Sequence, residues 1–296
     1  MLEDSILAGA DIFFCVGPQM MPNSLKVAVE HPEVYILNCS LNAPHPYIRT
    51  YYGRMYEAKF LAGMIAGAVT DNERVAYIAD YPIYGMIANI NAFALGVASV
   101  NPWAKVYLAW SKTKDYDWNK FLTENDLHYV SDQDIITPND ASRYFGLYKL
   151  QDGQALNLAM PIWNWGVFYE KLLQSVLAGS YKAEGQEQVK ALNYWWGMSA
   201  GVIDLICSKH VPYGVKRLAD HLKSDITKGE VVPFFGQIYD QKGELKNKGE
   251  HEMKPSDIMK MDWLVDNVVG SIPPLSEIVD NAKMVVELKG VEENKL

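Results

Sequence analysis

Two carboxylates two residues apart, Asp132 and Asp134 in the run Ser131-Asp-Gln-Asp134, are the residue types best suited to chemistry in this 296-residue chain. Carboxylates accept bidentate hydrogen bonds from ribose hydroxyls or ring N–H groups, and they serve as acid/base pairs or Ca²⁺ ligands. Residues two apart on a strand point to opposite faces, so a cooperating catalytic pair here requires that the strand has already ended. Three further polar stops follow apolar runs in the same way: Gly17-Pro18-Gln19-Met20, Asn38-Cys39-Ser40 and Asp80-Tyr81-Pro82-Ile83-Tyr84. In open α/β sheets, ligands bind outside the carboxyl ends of the strands, where helix N-termini also point. One such stop is more often a cap than a contact; the concurrence of four carries weight. Aromatic residues cluster as Trp163 with Trp165 and Trp195 with Trp196, alongside Tyr81 and Tyr84. Aromatic faces at a cleft stack planar bases or sugars, although core packing accounts for most of the eight tryptophans.

The commoner catalytic signatures are absent: no GxGxxG, GxxxxGK[ST], GxSxG, HExxH or EF-hand loop occurs. The six histidines are scattered, with His128 and His251 best read as solvated or hydrogen-bonded. No catalytic residue, metal or cofactor is predicted. Lys plus Arg number 27 against 36 Asp plus Glu, for a net charge of −9, and no basic cluster occurs, which argues against nucleic acid. Cys15, Cys39 and Cys207 lie far apart in apolar runs without CxxC spacing, and read as small buried hydrophobes rather than disulfides or zinc ligands.

Elements that position these residues follow from the hydrophobic pattern. Strands are predicted at 12–16, 34–37, 74–79 and 105–110, with helices at 23–30, 54–69 and 84–100 between them. That β-α-β order with continuous apolar strands indicates three-layer α/β/α sandwiches with mostly parallel sheets. A short strand at 128–130, strands flanking an Asp152-Gly153 turn, and helices at 165–177 and 215–227 follow. A helix start at Thr137–Asp140 and an exposed hairpin within 239–252 complete the pattern. The Gly63/Gly67 pair reads as close packing against a sheet. No apolar stretch reaches the roughly 18 residues of a membrane span. At about 100–200 residues per domain, the length suggests two lobes.

At this point the ordered motifs resemble the basic membrane protein family of ABC transporter substrate-binding lipoproteins. They are Arg54-Met-Tyr-Glu-Ala-Lys-Phe-Leu-Ala-Gly63, Ile90-Asn-Ala-Phe-Ala-Leu-Gly96 and Ser99-Val-Asn-Pro102. Trp163-Asn-Trp-Gly166 with Tyr169, Trp196-Gly-Met-Ser-Ala-Gly-Val-Ile-Asp204 and Met261-Asp-Trp-Leu-Val265 complete the set. The resemblance implies a two-lobe type I periplasmic-binding fold that closes over a small ligand, a purine nucleoside in characterised members, and hands it to a transporter permease. It implies no enzymatic activity. It implies lobe 1 at 1–73 and 161–190, lobe 2 with crossovers at 74–160 and 191–270, and a tail at 271–296. Carried over residue by residue, Gln19 and Asn38 belong to the lobe-1 rim, and Tyr81 and Tyr84 to the loop after the first lobe-2 strand. Asp132 and Asp134 belong to the loop lining the cleft from lobe 2, Trp163 to a crossing segment, and Met198 to the Gly-Met turn.

The sequence departs from the family pattern in two places. It starts in what resembles the third βα unit of lobe 1, without the family's signal sequence and lipid-modified cysteine. An uncovered sheet edge of that kind predicts dimerisation or aggregation. Where many relatives carry a His-Thr-Asp-Ser type loop, this chain has Ser131-Asp132-Gln133-Asp134. The resemblance implies an extracytoplasmic, lipid-anchored protein; Met1-Leu-Glu-Asp-Ser read literally implies a cytoplasmic sensor of the same fold.

Overall fold

The structure, a computed structural model, describes residues 2–17, 20–40, 47–134, 143–179 and 194–289. Two compact units form, Met1–Gly53 with Asn164–Trp196, and Arg54–Trp163 with Gly197–Leu296. The first begins with α1 (Leu2–Leu7), β1 (Ile12–Cys15), α2 (Met21–Glu30), β2 (Tyr35–Cys39) and β3 (Arg49–Gly53). The second continues with α3 (Met55–Val69), β4 (Arg74–Ala79), α4 (Met86–Val100), β5 (Lys105–Trp110) and α5 (Trp118–Asn125). It then forms β6 (Tyr129–Ser131), β7 (Leu147–Gln151) and β8 (Gln154–Trp163). The chain returns to the first unit for α6 (Trp165–Leu177) and β9 (Tyr194–Trp196). The second unit closes with β10 (Ile203–Cys207), α7 (Tyr213–Lys228), β11 (Gln237–Tyr239), β12 (Leu245–Lys248), α8 (Pro255–Met259), β13 (Val268–Val269) and α9 (Asp280–Lys289).

In the first unit four parallel strands run in the order β1-β2-β3-β9, with Phe14 opposite Leu37 and Asn38 opposite Thr50. Side chains alternate faces along β1. Phe13 and Cys15 join Val27 and Ala28 of α2 on one side. Phe14 turns to the other side, where its ring lies 4.6 Å from that of Tyr169 in α6. Helices therefore cover both faces of the sheet.

The second unit holds seven strands in the order β10-β8-β7-β6-β4-β5-β13. The β6-β4-β5-β13 part is parallel, and β7, β8 and β10 extend it antiparallel. Ala76 and Ile78 of β4 pack with Leu122 of α5, while Tyr77 between them meets Phe93 of α4, edge to face at 5.2 Å. The β7–β8 turn is Asp152-Gly153, both at positive φ (53° and 73°), as a two-residue hairpin requires.

The units divide after Gly53, so α3, expected in the first lobe, packs within the second. Its Gly63 and Gly67 face α4, not a sheet: a Cβ on Gly63 would stand 2.0 Å from the Phe93 carbonyl oxygen, and one on Gly96 2.0 Å from that of Phe60. The segments 194–196 and 271–289 likewise join the first and second units respectively. Of the cysteines, Cys15 is buried and Cys39 and Cys207 are partly exposed. The helix start at Thr137–Asp140, the tail after Gly290, and Gln19 lie outside the described residues.

Candidate ligand-binding site

The carboxyl ends of β4, β5 and β6 in the second unit carry Asp80, Ser111, Asp132 and Asp134, and the buried ammonium of Lys59 from α3 reaches the β6 end. Every residue of α3 from Met55 to Gly67 is buried, so Lys59 has no route to water and has to find its acceptors inside. Its Nζ donates to Asp134 Oδ1 at 2.5 Å, to Ser131 Oγ at 3.3 Å and to the Asp132 carbonyl at 3.5 Å. It also lies 5.0 Å over the Tyr77 ring. Strand β6 ends at Ser131, so the opposite-face argument ceases to bind Asp132 and Asp134.

Asp132 is held from three directions. Its N–H donates to the Gly146 carbonyl at 2.8 Å, its Oδ1 accepts the Gln133 N–H at 2.8 Å, and its Oδ2 accepts the Tyr148 hydroxyl at 3.1 Å. Burial pushes the Asp132 carboxyl above the usual carboxylate range, and the Asp80 charge adds to the rise. The Gln133 N–H, the Tyr148 hydroxyl and the Lys59 charge pull the other way. Asp134 is raised by burial too, against the pull of Lys59. Burial lifts the Tyr77 and Tyr148 phenols well above their ordinary value, with the neighbouring aspartates adding to it. Ser111 Oγ donates to Asp80 Oδ1 at 2.5 Å. This edge is a hydrogen-bond acceptor surface, suited to ligand N–H and O–H donors. Among the described residues, no group of three or more His, Cys, Asp or Glu is arranged to hold a metal ion.

The first unit's strand ends are neutral. Asn38, fully buried, donates from Nδ2 to the Gly17 carbonyl at 3.0 Å. Among the described residues its Oδ1 has no hydrogen-bond partner, nor does the buried Ser40 hydroxyl. The same unit holds an aromatic block in which Tyr51 stacks on Phe168 at 4.8 Å and Trp165 on Tyr169 at 5.9 Å. Trp196 leans on Phe168 at 4.9 Å. These contacts build the core of the unit.

The structure brings Asp132 and Asp134 together on Lys59. It places Tyr81 against Ile278, Ala282 and Val286, and Tyr84, half-buried, at the turn before α4. Trp163 ends β8, opposite Ile203. Met198 is buried, and its N–H donates to Glu57 Oε2 at 2.6 Å. Burial raises the Glu57 carboxyl, opposed by Arg54 and by that N–H; Arg54 Nε pairs with Glu57 Oε1 at 3.1 Å. A Cβ at Gly197 would fall 2.2 Å from the Glu57 carboxylate, so any larger residue there forces Glu57 to shift. Two motifs distant in sequence therefore meet as one joint. Asn91 does the same for a third, accepting the Val265 N–H at 3.1 Å and donating to the Trp263 carbonyl at 2.8 Å. Sequence reasoning gave Lys59 no site role, although a lysine in a mostly apolar helix signals a buried partner.

Residues 4–143 match the family model described as Bmp, ABC transporter substrate-binding protein PnrA-like. Over 279 residues the chain is 26% identical to a purine-binding protein of Brucella abortus, covering 90% of this chain and 77% of that protein. Over 189 residues it is 31% identical to a putative ABC transporter glucose-binding protein of Haloferax volcanii, covering 60% of this chain and 46% of that protein. A solute-binding protein of an ABC transporter system from Conexibacter woesei superposes with a TM-score of 0.51 at 15% identity, covering 77% of this chain and 81% of the other. A transcriptional activator of the comK gene from Bacillus halodurans gives 0.59 at 13% identity, covering 78% and 83%. At such identities these structures speak for the fold alone, a two-lobe periplasmic-binding architecture of mixed α/β lobes.

Proposed function

We propose that this chain, which over residues 4–143 belongs to the PnrA-like ABC transporter substrate-binding family, captures a purine nucleoside for delivery to a transporter permease. The family's role is substrate binding outside the cytoplasm; tethering of this chain as a lipoprotein is part of the proposal. The observation that carries the nucleoside is the acceptor surface of the second unit. The Asp132 carboxylate is fixed by Gln133 and Tyr148, and each oxygen retains capacity to accept a ribose hydroxyl or ring N–H. The likeness to the purine-binding protein of Brucella abortus supports the same reading. Within the second unit, Tyr81, Tyr84 and Trp163 are offered as ligand-facing aromatics, with Asp134 and Met198 completing the proposed lining. None of these residues is given a catalytic role.

Calorimetric titration with adenosine, guanosine, inosine, cytidine, free bases and glucose tests the proposal. Saturable purine nucleoside binding, weakened more than tenfold (about 1.4 kcal/mol) by Asp132→Ala, is the expected result. Binding of glucose without purine nucleosides would overturn it, and the likeness to the Haloferax volcanii protein makes glucose the proper rival.

A further inference from the structure

We propose that Lys59 is a positioning residue, whose buried ammonium fixes the Ser131–Asp134 segment and thereby aims the Asp132 carboxylate. The inference rests on the ligand reading for its consequence, and on geometry alone for its mechanism. Lys59 lies on α3, in a stretch buried on every side, and is itself 1% exposed. An ammonium has three N–H donors. All three find acceptors in one four-residue segment: the Ser131 hydroxyl, the Asp132 carbonyl and the Asp134 carboxylate. A single buried group thus grips the chain immediately beyond the end of β6. With the Asp132 carbonyl held by Lys59 and its N–H by Gly146, the peptide units on both sides of Asp132 are tied. The side chain is then set by Gln133 and Tyr148.

This separates the roles of the two aspartates. Asp134 is the counter-charge of Lys59, at 2.5 Å, and Asp132 is the carboxylate left with accepting capacity. A lysine that only filled space would need one partner, whereas this one spans hydroxyl, carbonyl and carboxylate in sequence order.

The test compares wild type, Asp134→Asn, Lys59→Met and the double variant Lys59→Met/Asp134→Asn. Lys59→Met alone strands a buried carboxylate, so the double variant is the informative one if the single fails to fold. Amide hydrogen exchange reads the segment without any ligand. The Asp132 and Gln133 amides should exchange at least about tenfold faster in the double variant than in Asp134→Asn, at matched global stability. Equal exchange in those two variants would overturn the positioning role. Titration with adenosine, guanosine and inosine reads the consequence: the double variant should bind at least about tenfold more weakly than Asp134→Asn. Equal affinity in the two would also overturn it. If wild type binds no nucleoside, the functional reading fails by itself, and the exchange comparison still decides the role of Lys59.

Discussion

The two strand-end edges are built from opposite chemistry. In the first unit, the end of β2 presents an amide and a hydroxyl, Asn38 and Ser40, and an aromatic block packs the same unit. In the second, the ends of β4 and β6 present three aspartates and one buried lysine. Neutral groups can be buried at modest cost when one partner is at hand, as Gly17 is for Asn38. Charged groups cannot, and each buried carboxylate needs a cation or several hydrogen bonds. The difference shows why the second edge needed a helix buried from Met55 to Gly67 to carry a lysine to it.

The largest effect should come from undermining the helix that delivers Lys59. Gly96→Ala places a Cβ against the Phe60 carbonyl, a backbone atom that cannot move aside, and should cost about 3 kcal/mol in urea denaturation. Hydrogen exchange should rise in the second unit and stay unchanged in the first; an equal rise in both would break the comparison.

Exchanging the chemistry of the edges comes next. Asn38→Asp sets a buried carboxylate oxygen against the Gly17 carbonyl where an N–H had donated, and should cost about 2–3 kcal/mol. A loss below about 0.5 kcal/mol would mean that the first edge tolerates charge as the second does.

Gly197→Ala tests the joint between Glu57 and Met198. The clash is with the end of a side chain, which can partly swing away, so about 1–2 kcal/mol is expected. Unchanged stability would show that the Glu57–Met198 hydrogen bond contributes nothing.

The smallest effect on stability belongs to Asp132→Asn. Burial raises the folded-state carboxyl of Asp132 above its unfolded value, so the native protein holds more protons than the unfolded chain in that window. The stability conferred by protonation is fully present below the ordinary carboxylate value of about 3.9, and is lost as pH rises through the raised one. Asp132→Asn should therefore flatten the decline of melting temperature with rising pH, leaving a slightly higher value at pH 7. A steeper decline in the variant would reverse the assigned sign.

Much of the fold was legible because its periods are strong. The apolar runs of β4 and β5 and the turn at Asp152-Gly153 announce themselves through local propensity and φ requirements. Strand β3 escaped because Arg49 and Thr50 open it after a proline-containing stretch of sequence, leaving little apolar signal. Helix α5 escaped because only Leu122 of its eight residues is buried; its start depends on one cap, the Asp117 carboxylate accepting the Lys120 N–H. Among the candidate residues, Asp132 and Asn38 were visible as polar stops. Asp80 was visible in the same way, whereas Lys59 was not singled out, since its importance lies in partners dozens of residues away.

The sequence by itself determined the elements, the α/β class and the family resemblance, because these rest on periodicity and on motifs contiguous in the chain. Tertiary structure alone decided that α3 belongs with the second unit, that Gly63 and Gly96 exist for a helix contact, and that Glu57 meets Gly197. It also decided which aspartate is neutralised and which is left to accept. The physical reason is that desolvation and charge pairing depend on distance in space, and a buried charge takes its meaning from whatever the fold places within hydrogen-bond reach.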